Sequence, residues 1–588
     1  MKKIRKTAAA LLCGGLMASV TACGDSAGGS AGADTSYTMW IYSGEDASCY
    51  TDYKENPVLQ YAMGKKWGAE EKSVDIEFWT PPAGSESDNY STMMTSGDYP
   101  DILDGSISDS PKNMYEDGII LDLTAYVEQY MPNYKAYLDS HPDVKANVTV
   151  DVDGEAKILA IRSAYDGYPY QFCGPQYRRD WIVKYGTNPE TGAAFTGGYT
   201  DAGDPDSWED DVVFPSGGTD PVYISDWEWM FGIFETAMED LGMEDSYCMS
   251  VYYPGFTWSG GICSSFGGGV PLWYADADNK VQFGGDSDQF RAYLQCMNTW
   301  YQNGWLDPAF NERTSDIFYE IDSVSVRQGK VGMWVGVEGQ LGGRMDMGDA
   351  YTSGICSYGC AYPINDIYGT DACKNVVPDC LFTTSLSYTP YYITSKATEK
   401  DIPTLCSFFD YFYSEEGALL HTLGLSGEQV TESDCKLYRD WGLEDGAYYV
   451  GEDGRYARSS VIANDSGKLK DAAAAIRIPG LLLVENVDEG YAPTYEKSLK
   501  AWLQYENTAF FQGSAVTTNM TNEDARAADD IRNKILEYLN VNTVDLIKGK
   551  KDPYDDDVWA DWCKMLSKYN YQKASALYQP YVDTYSFK

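Results

Sequence analysis

Only two of the 588 residues are histidines, His141 and His421, so imidazole acid–base or metal chemistry has little to work with. Carboxylates abound, with 89 Asp and Glu. Two of them at a set separation are all that glycoside hydrolysis needs, so a surface glycan-degrading enzyme is one reading of the count. Against it, no nucleophile elbow, phosphate-binding loop or metalloprotease helix occurs anywhere in the chain. Six acids crowd one stretch: Asp201, Asp204, Asp206, Glu209, Asp210 and Asp211. Calcium takes several such oxygen ligands, but no ordered Asp-x-Asp-x-Asp-Gly loop is present. The run Asp151 to Glu155 reads more simply as a hairpin turn. Among the 14 cysteines, Cys356, Cys360, Cys373 and Cys380 fall within 25 residues. They lack the tight C-x-x-C pairs of strong zinc signatures, which favours local disulfides or buried thiols over zinc, with connectivity left open.

Another cysteine stands apart. Lys2, Lys3, Arg5 and Lys6 precede an apolar run from Thr7 to Val20, and Val20-Thr21-Ala22 brings small residues up to Cys23. The run is too short to span a bilayer comfortably and has the order of a secretory signal peptide, residues 1–22. A cysteine at the cleavage point resembles the lipobox of bacterial lipoproteins, which implies a diacylglycerol on the Cys23 thiol. Two or more acyl chains anchor stably, since each buried methylene contributes about 0.8 kcal/mol. Residues 23–36 are rich in Gly, Ala and Ser and read as a flexible tether. No later run of about 18 apolar residues follows, so the expectation is a body held at the cell membrane, on its outer face, by lipid alone.

The elements that would position any site come next. A net charge of −45, deepening to −49 without the four cations of the leader, disfavours nucleic acid and anionic lipid as partners. Tyr occurs 49 times and Trp 16 times. Their flat apolar faces with polar edges suit sugar rings, although any single Tyr is more often a packing residue. Strands are expected at Tyr37–Tyr42, Val74–Trp79 and Pro100–Asp104, separated by helical spacing through Leu59–Trp67 and Tyr90–Thr95. That alternation predicts βαβ units and a largely parallel sheet. Lys157–Ile161 and Lys330–Val337 are further strand candidates for the same or a neighbouring sheet. Thr187–Pro221, dense in Gly, Pro and Asp, reads as an insertion or long loop. Beyond Ile402 the pattern is mostly helical.

Several segments recur in one order. They are Ser96–Ile102 (SGDYPDI), Gly118–Leu123 (GIILDL), Tyr177–Gly186 (YRRDWIVKYG), Gly304–Pro308 (GWLDP) with Phe310, and Gly329–Met333 (GKVGM). Ser414–Gly417 (SEEG) with Gly424 follows, and then the helix Trp559–Tyr571 with Tyr578 and Tyr581. Together with the lipobox, this series resembles the extracellular solute-binding lipoproteins (family 1) of carbohydrate-class ABC importers, in their longer oligosaccharide-uptake branch. The resemblance implies an α/β, two-lobed periplasmic-binding-protein-like fold of type II, with a hinge between lobes and extra C-terminal helices. It implies segments 37–165 and 329–395 in the first lobe, and 166–328 and 396–588 in the second. It also implies a monomeric receptor without catalytic residues, which captures a sugar or oligosaccharide and delivers it to the permease. Some members bind calcium in a comparable insertion, which keeps that cation open as a cofactor. A peptide-binding receptor is the alternative, because the chain is long for a sugar receptor. In such folds ligands sit at strand C-terminal ends and lobe boundaries. The positions there are Trp40, Tyr42, Trp79, Asp104, Arg162 and Tyr165, then Trp273 after a glycine run, and Trp334 and Tyr388. Trp258, set in Gly255-Phe256-Thr257-Trp258-Ser259-Gly260-Gly261, has the least around it to pack against and is the leading candidate.

Overall fold

The computed structural model describes residues 33–584, apart from 43–48, 109, 142–143, 146–147, 153, 167–173, 202–206, 251–261, 268–270, 277, 313–328, 337–352, 375–388, 464–467, 485, 489–496, 499 and 503–519. Along the chain, the strands that frame the architecture begin with Thr35–Trp40 (β1), Val74–Trp79 (β2), Ile102–Asp104 (β3), Ile161–Arg162 (β4) and Ala164–Tyr165 (β5). Gly174–Arg178 (β6), Tyr247–Met249 (β7), Val331–Gly336 (β8) and Ser357–Gly359 (β9) follow, then Pro390–Ile393 (β10) and Leu481–Leu482 (β11).

The first sheet has the order β2-β1-β3-β10-β4. β1 runs parallel to β2 and β3, as the alternating strand–helix pattern predicts, and β10 enters antiparallel between β3 and β4. Both faces are covered, as parallel sheets require. Tyr37, Met39, Ile102 and Ile393 pack on one face against Leu405, Phe408, Phe409 and Phe412. Trp40, Leu103 and Tyr392 pack on the other, against Tyr90, Met93 and Met114. The helix Ile402–Tyr411 that covers the first face starts on Asp401, whose side chain accepts from Thr404 N, with proline in the first turn.

The second sheet has the order β7-β8-β6-β9, with β7 parallel to β8 and β6 antiparallel to both of its neighbours. Its main core gathers Tyr177, Trp181, Trp227, Phe231, Trp300 and Met333. The C-terminal helices Asn522–Ile547, Asp556–Lys568 and Tyr571–Thr584 close over the same core through Leu539, Trp562 and Tyr578. Two separately cored lobes result, and the extra C-terminal helices belong to the second.

Two segments lie in the opposite lobe from the one expected. The stretch 331–359, assigned above with 329–395 to the first lobe, supplies β8 and β9 of the second sheet. An apolar strand such as Val331–Gly336 carries no mark of which sheet it joins. Contact decides it: a Cβ on Gly332 would meet Phe234 at 2.3 Å, so this glycine lets the strand lie directly on the second-lobe helix Ile224–Asp240. Conversely, the start of 396–588 stays with the first lobe. Ile402 through Ile478 join its core, and the chain is back on the second lobe by Ser498 and Trp502, ahead of the last helices.

The insertion 187–221 contains an antiparallel pair, Gly197–Tyr199 with Trp208–Asp210. Arg179 ties it down, with Nε at 2.8 Å and Nη2 at 2.6 Å from the two oxygens of Asp210. Ten cysteines are described, and all are free thiols, Cys356, Cys360 and Cys373 among them. Among the described residues no helix is long and apolar enough to cross a membrane.

Candidate functional site

Among the described residues the chain changes lobe three times, after β5, before β10 and after β11. On the first lobe the outgoing passages leave side by side. β5 and β11 form a short parallel ladder, Ala164 opposite Leu481 and Tyr165 opposite Leu482, and Val484 N donates to Asp166 Oδ1 at 2.6 Å. On the second lobe the returning chain is seated tightly. Ser498 Oγ accepts from Gly359 N at 2.9 Å, and Trp502, fully buried, donates its indole N–H to the Cys360 carbonyl at 3.0 Å. A Cβ on Gly174, the first residue of β6, would meet that indole at 2.3 Å. The strand ends beside these passages form the candidate edge.

On the first lobe that edge consists of the C-terminal ends of β1, β2 and β3, together with the Pro390 end of β10 and Arg162 of β4. Asp104 sits at its centre, almost wholly buried. One carboxylate oxygen accepts from Tyr42 N at 3.2 Å, the other from Ser106 N at 2.9 Å and Ser106 Oγ at 2.6 Å. Burial pushes its pKa up, against these bonds and the charge of Arg477. Tyr42 is exposed, and Trp40 stands edge-on to it, with ring centres 6.5 Å apart. Trp40 itself is buried, with Tyr90 at 5.8 Å and its indole N–H donated to Asn89 Oδ1 at 2.8 Å. Trp79, half-buried, is paired with Trp40 across β1 and β2. Arg162 is fixed by its backbone, its N–H donating to Tyr134 Oη at 3.1 Å and its carbonyl accepting from the Tyr413 hydroxyl. Tyr165 lies just past it, and its carbonyl accepts from Tyr137 Oη at 2.8 Å.

The edge thus brings Tyr42, Trp79, Asp104, Arg162 and Tyr165 together, with Trp40 as their support. Two other candidates are engaged elsewhere. Trp273 donates to Ser575 Oγ at 3.0 Å and packs against Phe283 and Tyr578, so it fastens the last helix to the second lobe. Trp334 is fully buried against Tyr247 and Val331, and its indole N–H has no hydrogen-bond partner among the described residues. Trp258, Tyr388 and Cys23 lie outside the described residues. Sequence reasoning missed Arg477, whose charge acts on Asp104 from a distant chain segment, and no local motif marks it.

Groups for acid–base or metal chemistry are placed differently. His141 stacks on Tyr137, with centroids 4.1 Å apart, and His421 is wholly buried. Among the described residues no group of three or more His, Cys, Asp or Glu is arranged to hold a metal ion. In the acidic insertion, Asp210 and Asp211 are already engaged by protein groups. Burial is the largest influence on Asp210 and pushes its pKa up, yet the fork from Arg179 and the indole of Trp208 outweigh it and hold the carboxyl below the usual range. Both oxygens of Asp211 are taken by Thr196. Asp204 and Asp206 lie outside the described residues.

The fold is similar to that of solved extracellular solute-binding proteins. No protein-family model and no curated protein matches the sequence. Among solved structures, an extracellular solute-binding protein from Bifidobacterium longum subsp. infantis is similar at a TM-score of 0.67 and 15% identity, over 94% of this chain and 98% of that one. The S. pneumoniae ABC-transporter substrate-binding protein FusA, an EF-hand mutant in complex with fructo-nystose, is similar at 0.61 and 15%, over 94% and 99%. The alginate-binding protein AlgQ2, solved without calcium ion, is similar at 0.58 and 16%, over 93% and 98%. These neighbours are binding proteins. At such identities the likeness establishes the fold alone.

Proposed function

We propose that this protein is an exported, lipid-anchored receptor that captures an oligosaccharide between its lobes and passes it, chemically unaltered, to an ABC importer. The observation that carries the reading is the first-lobe edge, where aromatic rings, the buried Asp104 and Arg162 lie at the strand ends from which the chain crosses to the other lobe. Aromatic faces bury the C–H surface of a sugar ring, and the ionisable groups bind its hydroxyls. The sugar ligands named for the similar structures support the same class. Cys23 would carry the lipid, holding the monomeric receptor at the outer face of the cell membrane, and both lobes would meet the permease. Hinge closure about the three passages would enclose the ligand.

The test is a thermal-shift screen of the mature chain with oligosaccharides and, in parallel, peptides. A ligand at 100 times its Kd raises stability by about 2.7 kcal/mol, which reads clearly as a higher Tm. Stabilisation by oligosaccharides recovered intact supports the proposal. A response to peptides alone overturns the ligand class, and new reducing ends overturn the receptor reading.

A further inference from the structure

The second lobe holds a crevice that has no part in the strand edges described above. It lies between the helices Asn522–Ile547 and Asp556–Lys568 and the turn joining them, with a volume of about 330 Å³. That is near the lower end of the range for small-molecule sites, roughly 300–1,000 Å³. Its apolar wall is built from Leu546, Val558, Trp562 and Met565. Trp562 is rigidly held, because its indole N–H donates to the Gly285 carbonyl at 2.8 Å and its ring stacks on Trp559. Tyr538 leans on the same indole, centroids 5.2 Å apart, so two aromatic rings meet at the crevice.

Polar groups complete the lining. Lys551 Nζ is held by Asn542 Oδ1 at 2.7 Å and keeps further protons to donate. Asp561 is exposed and forms no ion pair among the described residues. The Tyr538 hydroxyl makes no hydrogen bond among the described residues, and burial pushes its pKa up to about 12, so it stays a neutral donor. The chemistry narrows the occupant. An acyl chain would strip water from Asp561 and Lys551 without replacing its hydrogen bonds, which is costly. An anion would approach Asp561 on a chain of net charge −45. A neutral polyhydroxyl ring suits both parts, with its C–H face on the aromatic wall and its hydroxyls on Tyr538, Lys551 and Asp561.

We propose that this crevice is a second carbohydrate subsite, outside the space between the lobes, which takes one neutral sugar ring. It stands on geometry of its own and does not depend on the ligand of the cleft. The test uses the intact mature chain and the methyl glycosides of glucose, galactose and mannose, followed by saturation-transfer NMR. At least one glycoside is expected to bind saturably with a Kd on the order of millimolar, as fits so small a ligand. Asp561→Ala, on the surface, and Tyr538→Phe, which removes only a hydroxyl, should each weaken it about fivefold or more. Neither should alter the oligosaccharide-induced Tm shift. The proposal is overturned if no glycoside saturates up to about 100 mM, well beyond the expected range. It is equally overturned if both variants bind as the parent does, or if Arg162→Ala, in the cleft, is what abolishes the signal.

Discussion

His421 offers a quantitative check on how the passage between lobes is anchored. The ring is fully buried beneath the strand that leads to β11. Its Nε2 lies 2.9 Å from the Ile478 carbonyl, and Nδ1 has no hydrogen-bond partner among the described residues. Gly480 passes so close that a Cβ there would meet the ring at 2.5 Å. Burial, only partly offset by backbone carbonyls, pushes its pKa from 6.5 down to about 4. Between those values the unfolded chain holds a proton that the folded chain refuses, so stability rises with pH across that window and is lost as pH falls from 6.5 to 4. At 1.36 kcal/mol per pKa unit, the loss approaches about 3 kcal/mol at pH 4. Asp104 and Asp410, with raised pKa values, act with the opposite sign, because the folded state takes up their protons first. Comparison with a variant removes their contribution. His421→Gln keeps a donor for Ile478 but does not titrate. Urea unfolding at pH 7, 5.5 and 4.5 should show the wild type losing stability more steeply than the variant, by up to about one proton per molecule. With two histidines in the chain, NMR can follow the ring directly. Equal slopes, or a His421 pKa near 6.5, would refute the argument.

Other substitutions test the remaining joints. Gly174→Ala drives a methyl group into Trp502 and should cost about 1–3 kcal/mol, read as a lower Tm. Arg179→Leu leaves the buried Asp210 carboxylate unpaired. A loss of about 3–5 kcal/mol is expected, with faster protease cleavage within 187–221. Arg162→Ala should weaken oligosaccharide binding about tenfold by calorimetry while Tm without ligand moves little, because its backbone bonds to Tyr134 and Tyr413 survive the change.

Much of the first lobe was legible from local pattern. Val74, Ile76 and Phe78 alternate with Asp75 and Glu77, and the strand they predict pairs with β1 over six residues. The strand ends, read with the family resemblance, singled out Tyr42, Asp104 and Arg162, which lie along one edge of the first sheet. What stayed hidden was set by contacts between remote segments. Nothing in Val331–Gly336 declares its partner, since Gly332 and Phe234 must meet before the choice is made. Trp273 follows a glycine run that suggested exposure, and only the return of the final helix covers it. Arg477 reaches Asp104 by tertiary folding alone.

The free thiols carry a consequence for how such a chain is made. Cys248, Cys296, Cys356, Cys360 and Cys406 are buried, and desolvation raises each one's pKa, so in the folded protein they stay protonated and chemically quiet. Sulfur chemistry thus threatens the chain chiefly while it is being born. A newly made polypeptide with these groups uncovered in an oxidising compartment must bury them faster than oxidants can couple them wrongly. Maturation is then a race between collapse and oxidation, and an environment poor in oxygen would tip it toward the native state.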